Sequence, residues 1–262
     1  MRANLAQIVA DTRGTIPGLQ QRRRELELAA AEVIAPTGFS MALLGSNVSL
    51  IAEVKRRSPS AGEIRSDLDP SLQASHYARG GARAISVLTD GPHFGGSAED
   101  LRAVSRAVLV PTLRKDFILD ELQILEARSL GASAVLLIVR ILEPARLKAL
   151  HAFARSIGLG TLVETHSAAE LDAALAAGAE VVGVNSRDLD TFAIDVASAW
   201  ALLGRVPREV IAVAESGMAT RADVERAAAA GADAVLIGGA LSASTDPAAL
   251  AGSLSGVPRV GR

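Results

Sequence analysis

Apolar residues along this chain come in short, nearly continuous runs, and the runs recur. Gly-Gly-Ala-Arg-Ala-Ile-Ser-Val begins at Gly80, Leu-Gly-Ala-Ser-Ala-Val-Leu-Leu at Leu130, Ala-Gly-Ala-Glu-Val-Val-Gly-Val at Ala177 and Ala-Gly-Ala-Asp-Ala-Val-Leu-Ile at Ala230. Each pairs a glycine (Gly81, Gly131, Gly178 or Gly231) with an apolar strand, at steps of 50, 47 and 53 residues. Periodicity of this kind marks a repeated supersecondary unit. The unit is physically simple: a helix ends, the glycine takes the left-handed conformation at low cost, and a buried strand follows. Residues 168–176 and 221–230 are rich in Ala, Leu and charged side chains and read as such helices, with Thr220 as an N-cap.

A step this long exceeds one strand–helix unit of roughly 30 residues, so a second strand lies inside each step. Residues 110–114, 161–164 and 210–215 supply it, and residues 49–55 precede the first repeat. The pattern predicts eight strands alternating with helices. Strands that are apolar throughout belong to a parallel sheet covered on both faces. Eight such units close into a (β/α)8 TIM barrel. The alternative, an open doubly wound sheet, is disfavoured because no Gly-x-Gly-x-x-Gly follows the first strand. Residues 26–34 read as helical, and Arg22, Arg23 and Arg24 as a solvated helix face. Residues 1–48 are therefore expected to be an N-terminal helical extension packed on a single barrel domain spanning 1–262.

Composition narrows the function. The chain has 262 residues, 49% hydrophobic and 21% charged, with a formal net charge of −2. That suits a large core and gives no basic excess for nucleic acid; aromatics, at 3%, are too few for base stacking. There is no cysteine, which excludes disulfides, thiolate nucleophiles and Cys-type zinc sites. His76, His93, His151 and His166 show no metal-ligand spacing and are assigned to surface or loop chemistry. The N-terminus lacks an apolar signal core and no run is long enough to span a membrane, so a cytoplasmic place is expected.

In such barrels, functional groups gather where strands end at their C-terminal side. Five predicted strands reach a charge or amide at that end: Glu53 and Lys55 on the first, Lys115 on the third, Glu164 on the fifth, Asn185 with nearby Arg187 on the sixth, and Glu215 on the seventh. Glu53 and Lys55 are two apart and share a face; Glu164 shares one with Leu162, and Glu215 with Val213. One charge at a strand end is commonly just solvated. Five strands ending this way imply a common mouth, where lysines and glutamates shift one another's pKa values and suit proton transfer. Arg114 and Asp116 flank Lys115, point the other way and are assigned to structural ion pairs.

Phosphate chemistry has its own signal. Ser216-Gly217 follows strand seven and Gly238-Gly239 follows strand eight, where loops and a short helix N-terminus commonly hold phosphate in these barrels. Ser58-Pro59-Ser60-x-Gly62 after strand one adds two hydroxyls beside Lys55.

These residues together resemble a known family, indole-3-glycerol phosphate synthase. The resemblance begins in Ile51-Ala52-Glu53-Val54-Lys55-Arg56-Arg57-Ser58-Pro59-Ser60-Ala61-Gly62 and continues through Leu113-Arg114-Lys115-Asp116-Phe117-Ile118, Val163-Glu164 and Gly183-Val184-Asn185-Ser186-Arg187-Asp188-Leu189. It ends in Val213-Ala214-Glu215-Ser216-Gly217 and Leu236-Ile237-Gly238. It implies conversion of 1-(o-carboxyphenylamino)-1-deoxyribulose 5-phosphate to indole-3-glycerol phosphate, carbon dioxide and water, a carboxy-lyase step of tryptophan biosynthesis. By the same resemblance, Lys115 is the general acid at the carbonyl oxygen and Glu164 the base and acid of dehydration. Glu53 and Lys55 hold the substrate carboxylate and hydroxyls, and Asn185, Arg187 and Glu215 make further polar contacts. Ser58, Ser216, Gly217, Gly238 and Gly239 hold phosphate, while Phe94, Phe117 and Leu136 wall the anthranilate ring. One departure is Gly239, where the family often carries Glu or Ser.

The implied reaction needs no metal and no cofactor, because ring closure and loss of water require only acids and bases. A related barrel, phosphoribosylanthranilate isomerase, relies on a cysteine that is missing from this chain. A non-catalytic sugar-phosphate-binding barrel would not need Glu53, Lys55, Lys115 and Glu164 together. The expected partner is a small sugar phosphate, with neither nucleic acid nor membrane, and the expected state a monomer or weak homodimer.

Overall fold

Runs of Val, Ile, Leu and Ala broken by glycine favour strands sealed on both sides, and that is how they fold. A computed structural model describes residues 4–34, 38–60 and 62–261. Ala61 of the first motif, residues 1–3 and 35–37 of the extension, and Arg262 lie outside the described residues. The barrel strands are β1 (Ser49–Val54), β2 (Ala84–Leu88), β3 (Thr112–Lys115), β4 (Ala134–Ile138), β5 (Gly160–Thr165), β6 (Val181–Asn185), β7 (Ile211–Glu215) and β8 (Ala234–Ile237). All pair in parallel, in sequence order, and β8 returns to β1 to close the barrel. A two-residue ribbon, Arg57–Ser58 against Gly62–Glu63, decorates the loop after β1.

The repeat glycines behave as their position demands. Gly81, Gly131, Gly178 and Gly231 have φ of 96°, 89°, 89° and 101°, values that any side chain would strain. Thr220 caps the helix Arg221–Ala229, and Asp223 reaches back to complete a capping box.

Strand alternation sorts the core into two layers. Leu50, Ala52, Ile85, Val87, Val135, Leu137, Val182 and Val184 face the helices. Ile51, Leu113, Leu136, Leu162, Val213 and Leu236 fill the barrel interior. The residues that continue this inner register toward the C-terminal ends are Glu53, Lys115, Glu164, Asn185 and Glu215.

The N-terminal extension is helical, with different bounds from those predicted. It comprises α1 (Leu5–Gln21), α2 (Arg23–Glu32) and α3 (Phe39–Ala42). The first helix escaped the sequence pattern because Pro17 and two glycines interrupt it and only Leu5, Ile8, Thr12 and Leu19 are buried. α2 stops at Glu32 because Val33 is already extended. Leu26 and Ala30 of α2 pack with Leu122 and Leu125 of the helix Glu121–Ser129. Arg22 is exposed and pairs with Glu25 at 2.7 Å, as a solvated face would. Phe39 and Leu43 plug the barrel from the strand-start end: Phe39 lies against Gly160, and the carbonyl of Leu43 accepts from Ser49 Oγ at 3.0 Å.

Candidate active site

Two lysines and three glutamates meet in the mouth. Lys115 Nζ donates to Glu164 Oε2 at 3.2 Å and lies 3.7 Å from Glu215 Oε2. Lys55 Nζ pairs with Glu53 Oε1 at 2.6 Å. Glu164 and Glu215 are almost wholly buried, at 1% and 2% exposure.

Their charges follow from this packing. Burial opposes ionisation of Lys115, but Glu164, Glu215 and Glu53 outweigh it and hold the ammonium above its ordinary range. Burial also opposes ionisation of Glu164, and there Lys115, His166 and the Asn185 amide outweigh it, so the carboxyl falls below its usual value. Glu215 goes the other way. Burial first and the charge of Glu164 second push it well above the carboxylate range, against the pull of Lys115. Like-charged neighbours in a buried site cannot both ionise cheaply. The packing thus favours the ionised form of Glu164 and the protonated form of Glu215, both in reach of one ammonium.

Each group is held by its strand and by what backs it. The end of β1 is pinned by a buried network: Ser242 Oγ donates to the carbonyl of Glu53 at 3.2 Å and accepts from the Lys55 backbone N–H at 3.2 Å. Tyr77 donates to the same Glu53 carbonyl at 3.4 Å, and burial pushes its phenol up to about 12. On β3, Arg114 and Asp116 turn away from Lys115 as expected. Arg114 donates to Asp116 at 3.0 Å and to Glu126 at 2.8 Å, which braces the strand end from outside. Two glycines make room: a Cβ on Gly183 would strike Glu215 Oε1, and one on Gly238 would strike Glu53. Gly238, expected to serve phosphate, also leaves room for Glu53. A Cβ on Gly239 would meet nothing within 4 Å, and this residue opens to solvent.

Every candidate residue singled out from the sequence lines one cavity of about 330 Å³. Phe94 and Phe117 face each other with ring centroids 6.2 Å apart and form, with Leu136, an apolar wall. Asn185 Oδ1 accepts from the Arg187 backbone N–H at 3.0 Å, and the Arg187 guanidinium donates to the Phe192 carbonyl at 3.1 Å. Ser216 and Phe192 have positive φ, 66° and 59°, strain of a kind that gathers at functional loops. Ser58 Oγ lies 3.3 Å from Ser60 Oγ at the rim.

Sequence reasoning missed part of the lining. Leu189, Phe192, Ile194 and Met218 come from the loops after β6 and β7, whose course no periodicity foretells. The histidines need correction. His151 is buried on a helix and hydrogen-bonded to Thr161 at 2.8 Å, and His93 pairs with Asp11 of α1 at 3.0 Å. His166 lies directly behind Glu164, not on the surface. The available signal was its place two residues after Glu164, which continues the inward register of β5.

The comparisons with known proteins agree with this geometry. The family model described as indole-3-glycerol phosphate synthase matches residues 5–254. The chain is 46% identical over 254 residues to the indole-3-glycerol phosphate synthase of Dehalococcoides mccartyi, covering 94% of this chain and 97% of the relative. It is 48% identical over 230 residues to that of Chlorobium chlorochromatii, covering 87% and 90%. It is 45% identical over 249 residues to indole-3-glycerol phosphate synthase 2 of Streptomyces coelicolor, covering 94% and 96%. Among solved structures, a 3-hexulose-6-phosphate synthase superposes with a TM-score of 0.63 at 19% identity, covering 79% of this chain and 98% of that one. Thiamine phosphate pyrophosphorylase from Pyrococcus furiosus gives 0.60 at 14%, covering 79% and 93%. These two share the barrel alone. The match across nearly the whole chain, and the lysines and glutamates it brings to one mouth, place this chain in the indole-3-glycerol phosphate synthase family.

Proposed function

We propose that this mouth closes, decarboxylates and dehydrates 1-(o-carboxyphenylamino)-1-deoxyribulose 5-phosphate with Lys115 as general acid and Glu164 as its partner base. The observation that carries the reading is the Lys115–Glu164 contact, an ammonium and a carboxylate 3.2 Å apart at the floor of a ring-sized cavity. As the aromatic carbon attacks, negative charge develops on the carbonyl oxygen, and Lys115 protonates it. Ring closure leaves the attacked ring as an iminium cation, which takes up the electron pair of the breaking carbon–carboxylate bond, so loss of carbon dioxide restores the aromatic ring with no electron-sink cofactor. Glu164, ionised beside Lys115, takes the proton released in dehydration, and an acid protonates the departing hydroxyl.

The remaining residues orient the substrate. Lys55, held by Glu53, faces the substrate carboxylate. Asn185, Arg187 and the protonated Glu215 offer donors to the sugar hydroxyls. Phe94, Phe117 and Leu136 enclose the anthranilate ring. Ser58, Ser216, Gly217, Gly238 and Gly239 receive the phosphate, and the missing side chain of Gly238 also leaves room for Glu53. A phosphorylated substrate does not cross membranes unaided, which supports a cytoplasmic place for the enzyme.

Lys115→Met tests the assignment. Turnover to the indole product is expected to fall by roughly 10² or more, the usual scale for a lost general acid, with substrate affinity largely kept. Turnover within a few-fold of the parent would remove Lys115 from the mechanism.

A further inference from the structure

Behind Glu164 stands a histidine that the reaction as described does not use. The His166 side chain is 4% exposed, and its Nε2 points at Glu164 Oε1 from 3.5 Å. Neither atom has a hydrogen-bond partner. On the other side of the ring, Nδ1 lies 3.1 Å from Glu170 Oε2, and the same oxygen accepts the His166 backbone N–H at 2.7 Å. Arg140 donates to Glu170 Oε1 at 3.1 Å and to Asp188 at 2.8 Å. These contacts make an ordered row: Arg140, Glu170, His166, Glu164, Lys115.

An ionised carboxylate only accepts hydrogen bonds, so Glu170 places a proton on Nδ1. Nε2 then faces Glu164 either bare or protonated. Protonated, the ring is a cation between two carboxylates. Bare, its lone pair faces the oxygen that carries the proton once Glu164 has acted as base. In either state Glu164 has a fixed neighbour on the side away from Lys115.

We propose that His166 is a positioning residue for Glu164, anchored by Glu170 and Arg140, that aims the carboxyl at Lys115 and balances its charge through the catalytic cycle. The proposal rests on Glu164 being the base. The charged groups around the pair are Lys115 from β3, Glu215 from β7, Glu170 from the helix Ala168–Ala176 and, through Glu170, Arg140 from the loop after β4.

The test is kinetic. His166→Asn keeps an amide near Nδ1 and removes Nε2; His166→Gln sets an amide nitrogen near Nε2. For His166→Asn, kcat is expected to fall about tenfold, less than for a lost acid or base because the group acts through Glu164. KM is expected to stay within about twofold, since ground-state binding is untouched. The acid limb of the kcat–pH profile is expected to move to higher pH, and His166→Gln to recover part of kcat. Should His166→Asn fold poorly, Glu170→Gln keeps the carbonyl acceptor and removes the charge, and the same limb is expected to move the same way. An unchanged limb, a loss confined to KM, or equal losses in both histidine variants would overturn the proposal. Glu164→Gln separates the two claims. If it retains turnover, the assignment of the base fails; if it is inactive while His166→Asn is fully active, only the role of His166 fails.

Discussion

Glu215 costs the fold stability for the sake of the mouth. Its carboxyl lies against the bare backbone of Gly183, beside Glu164, and burial and that neighbour raise its affinity for a proton well above that of an ordinary glutamate. In the unfolded chain it titrates as an ordinary glutamate, near about pH 4.3. Above that value the folded state holds the proton and the unfolded state releases it, so this group's contribution to stability falls as pH rises toward the folded-state pKa. Glu215→Gln keeps the shape and removes the titration. It is expected to raise the melting temperature at pH 7.5, by more than at pH 5, and to lower turnover. Such a trade between stability and activity is common at polar sites. Equal melting temperatures for both proteins across this range would mean that Glu215 ionises freely in the fold. Much at this scale was readable in the sequence, since the inward register of each strand follows from counting by twos from Leu162 to Glu164 or Val213 to Glu215. The protonation states were not, because they depend on which strand ends face each other across the barrel.

At the scale of elements, the segment after β8 divides two tasks between adjacent glycines. Gly238 is buried against Glu53, while Gly239 begins the short helix Gly239–Ala243 in open space. Gly239→Val is therefore expected to fold like the parent and to weaken binding of both substrate and inorganic phosphate. Gly238→Val must displace Glu53 and is expected to lower both melting temperature and turnover. Phosphate binding unchanged in the Gly239 variant would place the anion elsewhere. The strand–helix repeat was legible because glycine after each helix and an apolar run after each glycine are local signals. α1 was not, because its stability comes from tertiary contacts: Leu5 and Ile8 reach the inner cluster and Asp11 meets His93. A helix broken in pattern by Pro17 and glycines declares itself only once it has a surface to lie on. The loops after β6 and β7, which bring Phe192, Ile194 and Met218 to the cavity, are shaped by turn hydrogen bonds such as those that Asp188 Oδ1 accepts from Asp190 and Thr191.

On the proposed reading, the whole molecule is a scaffold for acid–base groups and a phosphate cradle. The proposed steps need a proton donor near the carbonyl, a base for dehydration and a cradle for phosphate, and Lys115, Glu164 and the C-terminal loops answer to each. Turnover is therefore expected to survive exhaustive dialysis against a chelator; a loss that added divalent metal restores would refute the assignment of the chemistry to these residues.

The seam of the barrel carries a consequence for how the enzyme comes into being. β1 pairs with β8, and Glu53 rests on Gly238 across that seam, so the earliest catalytic strand is completed by the last one made. At about 5–20 residues per second, Lys55 leaves the ribosome on the order of ten to forty seconds before Gly238 does. Throughout that interval the nascent chain carries an unpaired edge on β1 and a mouth without its final wall. Indole-forming activity during translation thus reports the docking of the final strand, and any chaperone that shields the growing chain has β1 as its first edge to cover.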